Sequence, residues 1–148
     1  MAWLESQLVG AAGAGVLLVA PSSWAKPLVP VLPEGTAVFD PARPLVELPA
    51  GRYALGIVAG ALPSPPGTGD RALLARLRDE RCERVVVIAA TGADPGRQEM
   101  LALGFSAPAE APSGVALYEY DIASYNPERE WNNPSDWAHP QNFNRYRW

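Results

Sequence analysis

The apolar positions of this chain fall into short runs separated by breaks rich in proline and glycine. Trp3, Leu4, Leu8 and Val9 recur at helical spacing and predict a short amphipathic helix over 3–9. Gly10, Gly13 and Gly15 break it. Val16–Ala20 is then continuously apolar, as suits a strand buried on both faces, and Pro21 ends it. Ser22–Leu32 predicts a short helix interrupted by Pro27 and Pro30. Glu34-Gly35 reads as a turn, and Thr36–Phe39 as a second strand closed by Asp40-Pro41. Residues 41–51 hold three prolines and read as irregular chain, before a third apolar strand at Tyr53–Ala59.

Leu62–Asp70 (LPSPPGTGD) is a loop, with Thr68 or Asp70 placed to cap the next helix through a side-chain oxygen. That helix runs to about Cys82, with Leu73, Leu74 and Leu77 on one face. Arg84–Ala90 (RVVVIAA) is β-branched and uninterrupted, the clearest strand in the chain. Asp94-Pro95 has the form of an N-cap followed by proline at the first helical position. A short helix follows through Leu103, with Gly104 as its stop. In Val115–Ile122 the pattern changes to alternation. Ala116, Tyr118, Tyr120 and Ile122 share one side; Val115, Leu117, Glu119 and Asp121 share the other, as in a partly exposed strand.

Apolar strands alternating with helical stretches predict an α/β fold: a mostly parallel sheet flanked by helices on both faces, with the last strand as an antiparallel addition. The expected organisation is one α/β domain over 1–124 and an irregular aromatic tail over 125–148.

Composition agrees with one core-forming domain. The 148 residues are 48% hydrophobic and 19% charged, which excludes a disordered chain and a disulfide mini-protein. A net charge of −4 argues against nucleic acid as a partner, because phosphate binding needs clustered positive charge. The single cysteine, Cys82, allows no intrachain disulfide and suits a reducing, cytoplasmic setting; it reads as a small side chain packed at a helix end. His139 is the only histidine, so a metal site is not expected. The apolar stretch Leu8–Ala20 is short for a membrane span. Its only preceding charge is Glu5, where a secretory signal needs basic residues, so it reads as buried structure and no membrane partner is expected.

The order of segments carries a resemblance. GVLLVAP, TAVFDP, RYALGIVAGALP, LLARLRDERCERVVVIAA, MLALGF and SGVALYEYDI together resemble a reduced, Rossmann-like form of the class I S-adenosylmethionine-dependent methyltransferase fold over residues 3–122. The resemblance implies a cofactor edge at the carboxyl ends of the strands, carrying Ser22, Ser23, Asp40, Gly60 and Thr91. Asp40 matches the family's ribose-holding acid and is also an Asp-Pro turn former. The family's glycine-rich loop corresponds here to Pro21-Ser22-Ser23-Trp24, which has no glycine, a proline without an N–H, and a bulky indole. The segment where many members place catalytic residues corresponds to Ala59-Gly60-Ala61-Leu62-Pro63, which offers no acid, base or amide side chain. The glycines of GAAGAG (10–15) precede a strand instead of following one, so they do not form a dinucleotide fingerprint. No G-x-S-x-G elbow marks a hydrolase. The implied function is a degenerate, non-catalytic methyltransferase-like module acting through protein contacts, with no cofactor. The alternative is a small active methyltransferase that binds S-adenosylmethionine through an atypical loop. The LYEYDI strand and the WNNP…YRW ending also resemble an uncharacterised bacterial family.

The tail differs in kind. Residues 125–148 hold six of the chain's thirteen aromatic side chains, too dense a set to leave in water. Trp131, Pro134, Trp137, Pro140, Phe143 and Tyr146 recur every third position, the repeat of a polyproline II segment or of 3₁₀ turns. Trp131, Trp137, Phe143, Tyr146 and Trp148 are therefore the candidate interaction residues. They would pack either on their own domain or on a protein partner or second copy.

Overall fold

In the computed structural model, the described residues are 8–9, 11, 15–60, 69–90, 96–108 and 114–125. Four runs become parallel strands, three of them buried on both faces over most of their length and one at the sheet edge with Val38 exposed. They are β1 (Val16–Val19), β2 (Ala37–Phe39), β3 (Tyr53–Ala59) and β4 (Cys82–Ala90). The alternating run becomes β5 (Val115–Asp121), paired antiparallel to β4 with Arg84 opposite Asp121 and Ile88 opposite Leu117. The five strands form one sheet in the order β2-β1-β3-β4-β5. The expected α/β class, mostly parallel sheet and antiparallel last strand are all present.

The helices are α1 (Ser22–Leu28), α2 (Gly69–Arg76), α3 (Arg97–Ala102) and the single turn α4 (Ile122–Tyr125). Two buried clusters lie on the two faces of the sheet. In the first, Leu73, Leu74 and Leu77 from the α2 region and Met100 and Phe105 from the α3 region meet Leu17, Val19, Val58, Val85, Val87 and Tyr118. In the second, Ala11, Ala25 and Leu32 meet Leu18, Leu55, Ile57, Val86 and Leu117. An ion pair between Arg71 and Glu99 (2.9 Å) ties α2 to α3 on the outside. Among the described residues no helix is long and apolar enough to cross a membrane.

Several local expectations shift. The helix expected after the Leu62–Asp70 loop does not stay α-helical to Cys82. Leu77–Arg81 forms a π turn, and the Cys82 N–H closes it on the Leu77 carbonyl. The wider turn delivers the chain into β4 without a loop, so Cys82 begins the strand. Asp70 stands inside α2, not at its cap, while Thr68 lies outside the described residues. The third helix starts at Arg97 because Gly96, at φ +94°, stands at its cap in a conformation a helix cannot contain. Asp94 and Pro95 lie outside the described residues. Gly104 does end that helix: Gly104 N–H bonds the Leu101 carbonyl and Phe105 N–H the Met100 carbonyl, both at 2.9 Å. Those two bonds, with Met100 and Phe105 both buried, make a Schellman stop.

Candidate functional site

The carboxyl ends of β2, β1 and β3 lie side by side, and the sequence-predicted edge residues gather there. Their local geometry decides what the edge can do. Between β1 and α1 there are only Ala20 and Pro21. The Ala20 N–H continues the β1–β2 pairing by bonding the Phe39 carbonyl (3.0 Å). The Pro21 carbonyl then accepts from both Trp24 N–H and Ala25 N–H at 2.9 Å. No side chain caps α1, and the exposed Ser22 and Ser23 supply no cap bond. The connection from β1 to α1 is thus two residues long.

Asp40 follows β2, and one oxygen of its carboxylate is bonded in a turn. Its Oδ1 accepts from Ala42 N–H at 2.9 Å, and its carbonyl accepts from Arg43 N–H at 3.0 Å. These are the bonds of an Asp-Pro turn former.

Gly60 ends β3, buried, at φ +98°, with its N–H on the Ile88 carbonyl (2.9 Å). Against it lies the indole of Trp24. A Cβ added at Gly60 would stand 2.9 Å from Trp24 Cδ1 and 3.2 Å from Nε1. Trp24 comes from the first turn of α1, so its ring reaches from the helix that follows β1 to the end of β3. These are the strands on either side of the point where successive connections diverge, the place where open α/β sheets hold ligands. The sequence marked both residues but not their contact, because residues 36 apart reveal proximity only through the fold. Thr91, His139 and the tail residues Trp131, Trp137, Phe143, Tyr146 and Trp148 lie outside the described residues.

At the opposite edge, Gly15 (φ +85°) precedes β1, as a turn glycine should. It borders an open cleft of about 250 Å³ with Ala11, Val16, Pro33, Glu34, Gly35 and Thr36. A smaller notch of about 140 Å³ lies on β4 and β5, lined by Arg84, Val86, Ser106, Glu119, Asp121 and Ser124 among others. Sequence reasoning missed this notch. Its signal was the same-side pair Glu119 and Asp121, but the partner Arg84 follows only from the antiparallel register.

Cys82 is wholly buried, and burial pushes its thiol up to about 12 against the smaller pull of Arg52 and Arg81. It is a packed core side chain at the point where the π turn ends and β4 begins. Among the described residues no three His, Cys, Asp or Glu side chains stand together as metal ligands.

Residues 3–148 match the family of unknown function DUF6231. The chain belongs to that family. The DUF6231 match includes the aromatic tail, so the tail is part of the family's unit and not an appendage. No curated protein and no solved structure matches the chain.

Proposed function

We propose that the chain is a Rossmann-like, methyltransferase-like module that has given up catalysis and works through protein contacts. The strand order supports the descent: parallel β2-β1-β3-β4 with an antiparallel β5 at the edge is a doubly wound sheet with its switch point between β1 and β3. The observation that carries the loss of catalysis is the Trp24–Gly60 contact at that switch point.

S-adenosylmethionine does not fit the residues present. The β1–α1 link is two residues long with a proline at the helix cap, and an indole packs on Gly60 at the end of β3. Asp40, the counterpart of the ribose-holding acid, already bonds the Ala42 N–H. The module's working surface is then a protein contact to which Trp131, Trp137, Phe143, Tyr146 and Trp148 contribute, made with another protein or a second copy. A lone, buried cysteine fits a reducing compartment, and we place the module in the cytoplasm.

Titration calorimetry with S-adenosylmethionine and S-adenosylhomocysteine tests the reading. The expected result is no heat of binding at high ligand concentration. Micromolar binding would overturn it, favour the active enzyme with an atypical loop, and make Asp40→Ala the next variant.

A further inference from the structure

The two outer edges of the sheet are finished differently. On β5 the outer edge bonds Ser106 through a reciprocal pair of 2.8 Å bonds with Glu119. On β2 no such bond is made among the described residues. The β1–β2 pairing runs through Ala37 and Phe39, whose carbonyl accepts from Ala20 N–H at 3.0 Å. Backbone groups alternate in direction along a strand, so the N–H and C=O of Val38 point away from the sheet. By the same alternation Thr36 and Asp40 also turn outward. Thr36 N–H is bonded to the Pro33 carbonyl (3.2 Å) and the Asp40 carbonyl to Arg43 N–H (3.0 Å), which leaves Thr36 C=O and Asp40 N–H open.

The side chains around this edge are apolar. Val38 shares a face with Leu18, its register partner, and is 43% exposed. On that face the 3₁₀ turn Val29–Val31 lies between Leu28 and Leu32, which pack on the second cluster, and leaves Val29 and Val31 45% and 40% exposed. On the other face the 3₁₀ turn Leu45–Glu47, held to the first cluster by Leu45 and Leu48, leaves Val46 85% exposed. An open strand edge with apolar surroundings is a template for another strand, and Thr36–Phe39 has neither a charge nor a proline to block one.

We propose that a second copy of this chain pairs here, β2 against β2, antiparallel about a two-fold axis at Val38. The charge pattern of the edge selects that occupant, because it is complementary to itself. Each Val38 N–H meets the Val38 C=O of the other copy, and each Asp40 N–H meets the Thr36 C=O of the other copy. An ordinary strand would bring a C=O against Thr36, whose N–H is already bonded, and an N–H against Asp40, whose carbonyl is already bonded. A second copy brings neither, so no backbone group is left without a partner. The axis stands perpendicular to the sheet, so like faces of the two copies line up. Val29, Val31 and Val38 of both copies then gather on one face and the Val46 turns on the other. Their burial reinforces a pairing that a three-residue strand would hold weakly by itself. The proposal does not rest on the reading of the β1–β3 crevice or on the contact given to the tail residues.

Sedimentation of the full-length chain over a wide concentration range tests it, with Val38→Lys and Val38→Pro as variants. Both leave the β1–β2 bonds in place, because Val38 supplies none of them; lysine sets a charge on the edge and proline removes the outward donor. The expected result is a reversible dimer for the parent chain and loss of that dimer in both variants, with circular dichroism unchanged. A parent chain that stays monomeric at every concentration overturns the proposal. So does a dimer that both variants retain, which would put the interface elsewhere. Amide exchange on the parent chain keeps the test independent of how the variants fold. Val38 and Asp40 N–H should exchange slowly in the dimer and quickly after dilution to monomer. Fast exchange in the dimer, or protection that persists in the monomer, overturns pairing through this edge.

Discussion

Cys82 occupies the space where a side chain on Gly56 would begin: a Cβ built there would stand 2.7 Å from Cys82 Sγ. Gly56 is in the middle of β3, and Cys82 opens β4 with its side chain wholly buried. Neither can give way without moving a core strand. Gly56→Ala is therefore expected to destabilise the fold by about 1–3 kcal/mol, the usual scale of overpacking. Adding Cys82→Ala should recover part of that loss by vacating the space. Urea unfolding of the two single variants and the double would show favourable coupling; strict additivity would mean that the contact is relieved elsewhere.

The same thiol makes alkaline stability sensitive to pH. In the unfolded chain it ionises near its ordinary 9.0, while in the fold burial pushes it up to about 12. Between those values the unfolded state has released a proton that the folded state keeps. Stability therefore falls as pH rises above 9, by at most about 1.4 kcal/mol per pH unit, and this contribution is fully present below 9. Cys82→Ala should flatten that limb in melts taken from pH 8 to 11. Iodoacetamide should leave the native thiol untouched at pH 8 and modify it in urea.

The elements legible in the sequence were those that local pattern alone determines. Val16–Val19, Tyr53–Ala59 and the core of β4 announced themselves as unbroken apolar runs, and β5 as an alternation. Gly104 announced a helix stop because its left-handed conformation is chemically cheap only for glycine. What stayed hidden depended on tertiary closure. The π turn at Leu77–Arg81 has no residue signature of its own; it reflects how directly α2 must hand over to β4. The Trp24–Gly60 contact and the Arg84–Asp121 pair each join residues that only the sheet order makes neighbours.

At the switch point, Gly60 is held by two constraints at once. Its φ of +98° is unfavourable for any side chain, and a Cβ would press on Trp24. Gly60→Ala is expected to cost about 2–4 kcal/mol, combining backbone strain with overpacking. Trp24→Ala removes the pressing partner but not the strained backbone, so the double variant should regain only part of the loss. Thermal melts of the three proteins separate the two contributions. Full recovery in the double variant would show that the backbone conformation costs nothing there.

Arg78 joins three parts of the molecule from within the π turn. Its guanidinium donates to the carbonyl of Leu103 at the end of α3, donates to Asp79 Oδ1 at 2.6 Å, and lies 5.9 Å from the centre of the Tyr120 ring on β5. Tyr120 in turn packs on Phe105 and Tyr125, with ring centres 5.8 and 5.5 Å apart. Because the arginine side chain is only 23% exposed, Arg78→Ala should destabilise the fold by about 1–2 kcal/mol, the scale of a lost charge-assisted hydrogen bond and ring contact. Arg78→Lys should not restore it, since a single ammonium cannot reach a carbonyl and a carboxylate while lying flat on a ring. Asp79 contributes differently. The hydrogen bond from Arg78 holds its carboxyl below the usual carboxylate range, so its small contribution is present at neutral pH and lost as pH falls through that lowered value. Asp79→Asn should therefore lower neutral stability slightly and flatten the loss of stability in acid, whereas Arg78→Ala should lower the urea midpoint by more and at every pH. Equal effects of the two substitutions at neutral pH would place the energy in the exposed ion pair and not in the bridge from the π turn to α3 and β5.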